Sequence, residues 1–309
     1  MKSVSINNYG GLDVLHYNNS PRPKPEHDDV LIHAYAASVN PVDVAVRQGY
    51  MAEWISPTFP LILGCDVSGV IEEVGPDVTG FRVGDEVYAR TDLSRDGSYA
   101  EYVAVGATNV ARKPKSLDFI HAAAVPHVSL TAWQSLYGAA NLSAGQTALI
   151  HAAAGGVGHI AVQLAKLRGA RVIGTASTNN IDFVRQLGVD QAIDYTTTQF
   201  ENLARDVDVV FDMIGGDTQQ RSYGTLKPGG ILVSIVQPPD EATAKSFGVR
   251  AAMAGAYPDP GILTEVAGLI DAGKIKPHVS KVFPLSEARQ AQELIAARHT
   301  RGKIVLQVM

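Results

Sequence analysis

The chain has 309 residues, 46% hydrophobic and 18% charged, the composition of a folded protein long enough for about two domains. A formal charge of −5 and a pI near 6.0 leave no basic footprint for nucleic acid or an anionic membrane. The single cysteine, Cys65, excludes an intrachain disulfide framework and any zinc site built from several thiolates.

Residues 1 to about 120 read as short strands broken by turn residues. The stretches 29–36 and 67–74 are strand-like, the second bounded by Asp66 and by Gly75-Pro76. Gly84-Asp85 feeds a strand at 86–89, and Gly97 feeds one at 98–105. Closely spaced short strands of this kind predict a barrel-like β domain. From about residue 122 the rhythm changes to alternating helix and strand. Helices are expected at 131–137, 156–168 and 181–187, and strands at 147–152, 171–176, 191–194, 207–212 and 231–236. Residues 227–230, Lys-Pro-Gly-Gly, read as the turn before the last of these. This is the pattern of a doubly wound parallel sheet. Helices at 261–272 and 286–297 then flank a strand at 279–283, and a strand at 303–308 closes the chain. No apolar run approaches the ~18–20 residues of a membrane-crossing helix. The first seven residues lack the apolar core of a secretory signal, so a cytoplasmic location is expected.

Between the strand at 147 and the helix at 156 lies His151-Ala-Ala-Ala-Gly-Gly-Val-Gly158. Ala153-x-Gly155-x-x-Gly158 is the dinucleotide-binding fingerprint with its first glycine replaced by alanine. Gly155 lets the backbone approach a pyrophosphate and Gly158 lets the helix pack close to the strand. Free N–H groups and the helix dipole then meet the phosphate charge.

Taken in order, the segments resemble the medium-chain dehydrogenase/reductase superfamily, in particular its zinc-independent quinone oxidoreductase branch. The matching stretches include Ser38-Val-Asn-Pro-Val-Asp43 with Arg47-Gln-Gly-Tyr50, Pro60-Leu-Ile-Leu-Gly-Cys-Asp-Val-Ser-Gly69 and Phe81-Arg-Val-Gly-Asp-Glu-Val87. Gly97-Ser-Tyr-Ala-Glu-Tyr-Val103, Leu130-Thr-Ala-Trp133, the glycine motif, Phe211-Asp-Met-Ile-Gly-Gly216 and Gly302-Lys-Ile-Val-Leu306 continue the match. The resemblance implies an α/β fold: a GroES-like β-barrel catalytic domain, 1–122 completed by 259–309, plus a Rossmann NADP-binding domain at 123–258. It implies a cleft between them for nicotinamide and substrate, and a homodimer.

The zinc enzymes of that superfamily use a cysteine where this chain has Asn40 and a histidine in the segment that is here Gly64-Cys65-Asp66. A catalytic zinc needs three protein ligands and an open position, so no metal is expected. His121/His127 and His151/His159 have no familiar metal spacing, and Cys65 reads as a small buried residue. Without a Lewis acid the accessible acceptors are quinones and α,β-unsaturated carbonyls such as 2-alkenals and enones. Conjugation already makes one carbon of these electrophilic, and modest hydrogen-bond donors suffice for the charge that develops on oxygen.

The resemblance assigns Tyr50 as that donor and Asn40 as a residue meeting the nicotinamide ribose or the acceptor. Their competing roles are an aromatic anchor in a loop and Asn-Pro turn chemistry. By the same resemblance Thr131 lies beside the nicotinamide, with a helix N-cap as its alternative. Ala154, Gly155, Gly156 and Val157 meet the pyrophosphate. Tyr195 and Ile214 line the adenine side, Ile235 lies near the nicotinamide, and Lys303 reaches a cofactor phosphate unless it is an exposed lysine beside a strand. The end of the second strand, 175–180, has no acid before Asp182, where NAD-specific sites place one. Ser177, Thr178 and Asn180, helped by Arg185, would therefore hold a 2′-phosphate, which favours NADPH with NADH possible. The function expected is metal-independent, NADPH-dependent reduction of a small quinone or enone. An enoyl-thioester reductase and a non-catalytic, crystallin-like NADPH binder are the alternatives.

Overall fold

The computed structural model describes residues 1–298 and 300–309. Two compact units divide the chain: Met1–His127 with Pro258–Gly273 and Pro277–Met309, and Val128–Tyr257 with Lys274–Lys276.

The first unit is built on β-strands. In chain order these are β1 (Lys2–Ile6), β2 (His16–Asn19), β3 (Asp29–Val39), helix α1 (Pro41–Arg47), β4 (Leu61–Ile62), β5 (Asp66–Val74), β6 (Glu86–Arg90), β7 (Tyr102–Gly106), β8 (Val110–Arg112) and α2 (Phe119–Ala123). Pro41 at the first helical position and Asp43, whose carboxylate accepts the N–H of Asn40 at 2.8 Å, start α1 where the sequence turns from strand to helix. β3 is the central strand, paired with β5 and β7, and most of its side chains are buried. Val30, Ile32, Val67, Ile71, Val87 and Val103 form a core on one side of it.

The chain enters the second unit within α3 (Pro126–Trp133) and goes on to β9 (Thr147–Ile150), α4 (Gly156–Leu167), β10 (Arg171–Ala176), α5 (Ile181–Gln186) and β11 (Gln191–Asp194). It continues with β12 (Val207–Asp212), α6 (Gly216–Ser222), β13 (Leu226–Ser234), α7 (Glu241–Ser246) and β14 (Arg250–Met253). All six strands are parallel and ordered β11-β10-β9-β12-β13-β14. This order reverses direction between β9 and β12, the crevice where doubly wound sheets bind nucleotides.

The chain then returns to the first unit with α8 (Pro260–Asp271), β15 (Val279–Pro284), α9 (Ala288–Ala296) and β16 (Lys303–Gln307). β16 lies antiparallel to β3, Ile304 opposite Val39, and completes that sheet. The Tyr88 hydroxyl donates to the Leu263 carbonyl at 2.6 Å, and Arg47 donates to Gln292 at 2.7 Å, so buried bonds tie α8 and α9 to the unit.

Two local expectations are corrected. The helix expected from Thr131 starts at Pro126 and passes into a π-helical turn over Gln134–Ala139, so Thr131 is interior and not an N-cap. Residues 227–230 are not a turn before β13 but a bulge within it: Leu226 already pairs with Val207, and pairing resumes at Ile231 with Val209. Gly229, at φ +78°, makes that bulge possible.

α4 packs close to β9 because Gly158 has no side chain. A Cβ there would lie 2.2 Å from the Ala152 carbonyl oxygen and 2.8 Å from Ala153 Cα, both backbone, whereas one at Gly155 would meet only the Ala152 oxygen, at 3.2 Å. Gly158→Ala is therefore expected to destabilise the protein by about 1–3 kcal/mol, and Gly155→Ala by distinctly less. Urea unfolding of the two variants checks the order.

Candidate active site

The turn after β9 leads into the N-terminus of α4. Ala152 adopts φ +47°, and its carbonyl accepts the Gly155 N–H at 2.9 Å, folding the loop back beneath the helix start. Gly155 is the N-cap and provides no capping side chain. Helix geometry leaves the N–H groups of Gly156, Val157 and Gly158 without intrahelical acceptors. Gly155, Gly156 and Val157 are half-buried and Ala154 is nearly enclosed. This cradle of N–H groups at a twelve-residue helix is built to take an anion.

Beside it is a cavity of about 560 Å³, lined by His151, Ala152, Thr175, Tyr195, Phe200, Ile214 and Arg221, among others. Tyr195 and Ile214, far apart in sequence, are thus brought to one wall, each about half exposed. Two residues that sequence reasoning missed hold this wall. Asp212 is fully buried; one oxygen accepts the N–H groups of Ile214 and Gly215 and the other accepts from Gln219 and Ser234. Its signal was present in Asp212-Met-Ile-Gly-Gly, an aspartate bonding the backbone two residues on. His151 bridges Thr175 (3.1 Å) and Ser222 (2.9 Å). Ser222 donates its own proton to the Thr218 carbonyl, so it accepts from His151 Nε2–H, and Nδ1 accepts from Thr175. Burial pushes this imidazole down to about 4, so it is a neutral strut at physiological pH.

At the end of β10, Asn180 donates to the Ser177 hydroxyl at 3.1 Å, which brings these two residues together. Thr178 is engaged differently. Its hydroxyl donates to Asp194 at 2.6 Å, and Asp194 also accepts from Thr196. These hydroxyls hold the Asp194 carboxyl below its ordinary range. The expectation that a 2′-phosphate would meet no like charge, drawn from the absence of an acid before Asp182, meets a counter-observation here: Asp194 of the neighbouring strand bonds the Thr178 hydroxyl. Arg185 is paired with Asp182 at 3.1 Å. Ile235 directly follows β13, half-buried, with its N–H donating to the Asp212 carbonyl. Thr131 is 3% exposed within α3.

In the first unit, Asn40, Asp43, Asp66, Tyr99 and Lys303 form one buried network. The Lys303 ammonium donates to Asn40 Oδ1 at 2.5 Å and to the Val39 carbonyl at 3.0 Å, and lies 3.8 Å from Asp66. Asn40 Nδ2 donates to Asp66 at 2.9 Å and lies 3.4 Å from the Cys65 sulfur. Asp66 also accepts from Ser38 at 2.6 Å and from the His127 N–H at 2.8 Å. Two expectations change here. Lys303 is neither an exposed lysine nor one placed toward a phosphate, because its ammonium is enclosed and directed at Asn40. Asn40, 1% exposed with both ends of its amide engaged, orients its neighbours and has no group directed at an acceptor. Burial lowers the Lys303 ammonium's proton affinity and raises the Cys65 thiol's, so that thiol is no nucleophile.

Tyr50 stands apart from this network. It follows α1 in a tight turn, its N–H donating to the Ala45 carbonyl at 2.9 Å, and its side chain is 70% exposed.

Asp43 carries a testable consequence. Burial raises its carboxyl to about 6, against the lowering effect of the Asn40 N–H and the Tyr99 hydroxyl. The folded protein thus holds this proton more tightly than the unfolded chain, and stability falls as pH rises from 3.8 to about 6. Asp43→Asn is expected to remove that slope and to gain about 1–3 kcal/mol on the wild type between the acid and neutral limits. Denaturant unfolding at a series of pH values checks it; parallel profiles for the two proteins would refute it.

Residues 26–115 match the family model described as alcohol dehydrogenase GroES-like domain, and residues 187–306 match zinc-binding dehydrogenase. Zinc does not suit the residues present: Asn40 and Cys65 lie against each other beside the Lys303 ammonium. Among the described residues no group of three or more His, Cys, Asp or Glu side chains could hold a metal ion. The chain is 34% identical to the NAD(P)H oxidoreductase RTN4IP1, mitochondrial, of Danio rerio, over 100% of this chain and 92% of the relative. It is 38% identical to the NADPH-dependent alkenal/one oxidoreductase, chloroplastic, of Arabidopsis thaliana, over 99% of this chain and 79% of that one. The solved structure of the quinone oxidoreductase from Coxiella burnetii superposes with a TM-score of 0.94 at 35% identity, covering 100% of this chain and 99% of that one. With a GroES-like unit, a doubly wound nucleotide-binding sheet and full-length identity to such oxidoreductases, the chain belongs to the medium-chain dehydrogenase/reductase superfamily.

Proposed function

We propose that the protein reduces small quinones and α,β-unsaturated carbonyls with a nicotinamide dinucleotide, without a metal. The observation that carries this reading is the anion cradle at Gly155–Val157 set beside the cavity walled by Tyr195 and Ile214. The names of the similar proteins supply the acceptor class. When bound, the dinucleotide supplies a hydride. Gly155, Gly156 and Val157 would hold its pyrophosphate, with Ala154 beneath. Tyr195 and Ile214 would flank the adenine, while Thr131 and Ile235 would pack by the nicotinamide. Residues 1–122 with 259–309 would form the catalytic domain and 123–258 the cofactor domain, and the protein would work as a homodimer.

Tyr50 donates a hydrogen bond to the acceptor oxygen as negative charge gathers there and passes it the proton, which water then restores to the exposed tyrosine. Asn40, Asp66 and Lys303 act at one remove by fixing the start of α1, whose far end leads to Tyr50. Positioning supplies most of the rate, since the cofactor carries the chemistry.

NADPH is the proposed physiological donor, with Ser177 and Asn180 facing the 2′-phosphate, and NADH the second donor. Asp194 works against the phosphate through its charge.

Following absorbance at 340 nm with a 1,4-quinone, a 2-alkenal, a simple aldehyde and a 2-enoyl thioester tests the activity. Turnover of quinone or alkenal that survives a chelator is expected. A preference for the thioester would make the protein an enoyl-thioester reductase, and tight NADPH binding with no turnover would make it a binder. Tyr50→Phe is expected to lower kcat about tenfold or more while leaving the NADPH Kd unchanged. Asp194→Asn should raise the ratio of kcat/KM for NADPH to that for NADH by about tenfold; an unchanged ratio would place Asp194 outside the ribose site.

A further inference from the structure

Residues 48–55 put two large aromatic side chains in water. Tyr50 is 70% exposed and Trp54 72% exposed, the highest values for large apolar side chains among the described residues of the first unit. A mobile loop would explain such exposure cheaply, but this segment is braced. The Tyr50, Ala52, Trp54 and Ile55 N–H groups all donate to backbone carbonyls, of Ala45, Gly49, Met51 and Met51. Ile55 is buried in the core formed with Val46, Leu61 and Leu63, and Met51 packs against that core. Gly49, at φ +82°, lies so close over the Tyr9 ring that a Cβ there would be 3.0 Å from Tyr9 Cγ. Tyr9 in turn meets Phe59 edge-on, ring centroids 5.1 Å apart. Core contacts and an aromatic pair thus hold a turn whose Tyr50 and Trp54 remain uncovered.

Holding a tryptophan indole in water on a fixed backbone leaves a large apolar face unsatisfied and pre-organised, with little ordering entropy left to lose. We propose that Trp54 determines acceptor specificity: its indole stacks on the ring of a planar, conjugated acceptor whose oxygen takes the Tyr50 hydrogen bond. The substrate class is thereby narrowed to cyclic conjugated acceptors, such as quinones and aryl or ring enones, over short open-chain alkenals. This rests on the reductase reading above. Trp54 lies four positions after Tyr50, with three residues between them, so one braced turn carries both. A flat ring gains from an aromatic face by offset stacking, and a two- or three-carbon alkenal has no ring with which to do so.

The chain has two tryptophans, Trp54 and the half-buried Trp133, which makes the test direct. The probes are 1,4-naphthoquinone and 2-propenal, used with the full-length protein and NADPH. Trp54→Ala is expected to lower the selectivity (kcat/KM) for naphthoquinone over 2-propenal about tenfold, chiefly through KM for the quinone. Trp54→Phe should restore most of that selectivity, because the aromatic face is kept. Naphthoquinone should quench wild-type tryptophan fluorescence saturably, and Trp54→Phe should lose the saturable part. Unchanged selectivity in Trp54→Ala overturns the proposal. So does a change in sedimentation without a change in selectivity, which would make the turn a contact between copies of the chain. If no acceptor is reduced yet the saturable Trp54 quenching persists, the reductase reading fails and the stacking site stands; turnover indifferent to Trp54 gives the reverse.

Discussion

The carbonyl oxygen of Ala152 sets the geometry of the nucleotide half. It lies where a side chain at position 158 would need to be, so the helix can approach the strand only through a glycine. The same oxygen accepts the Gly155 N–H, and Ala152 pays for this arrangement by taking a left-handed conformation that residues other than glycine seldom adopt. Close approach brings the unpaired N–H groups of α4 to the switch point of the sheet. It also brings the end of β9 beside Thr175 and α6, where neutral His151 links the three elements through Thr175 and Ser222. The anion cradle therefore depends on one contact between a carbonyl and a missing methyl group, and the cavity lies beside it.

The first unit solves a different problem, that of holding two carboxylates away from water. Asp43 and Asp66 are both about 1% exposed or less, and the lysine that faces them is 2% exposed. An isolated buried charge costs several kcal/mol, and a pair with satisfied hydrogen bonds recovers most of it. Lys303, Asn40, Ser38 and the His127 N–H satisfy Asp66, while Asn40 and Tyr99 serve Asp43. One oxygen of Asp43 has no partner, which accords with the carboxyl's raised proton affinity. Residues that in metal-dependent relatives would be ligand positions here form a network of amide, thiol, carboxylate and ammonium.

Much of the fold was legible because its signals are local. The strands at 171–176, 191–194 and 207–212 coincide with the observed β10, β11 and β12, since short apolar runs between turn residues leave few alternatives. The glycine loop was legible because its chemistry lies in eight consecutive residues. What was hidden depends on strands lying side by side. Asp194, at the end of β11, meets Thr178 in the turn just beyond β10, sixteen residues away in sequence, and a search for an acid confined to that turn could not find it. Lys303 and Asn40 are 263 residues apart, and only the antiparallel pairing of β16 with β3 puts the ammonium on the amide. Asn40 carried a functional reading through the family resemblance; its bonds to Asp43 are local, but Asp66 and Lys303, which engage both ends of its amide, are remote in sequence.

The pairing of β16 with β3 also orders events during synthesis. The second unit, essentially contiguous from Val128 to Tyr257, has all its sheet partners within about 110 residues and can close as soon as it leaves the ribosome. The first unit cannot. Until the segment Lys303–Gln307 has been made, β3 has an open edge and Asp66 lacks its cation. The unit translated first is thus the last to be completed, and until then the edge of β3 over Ala36–Val39 is open to pairing with another strand.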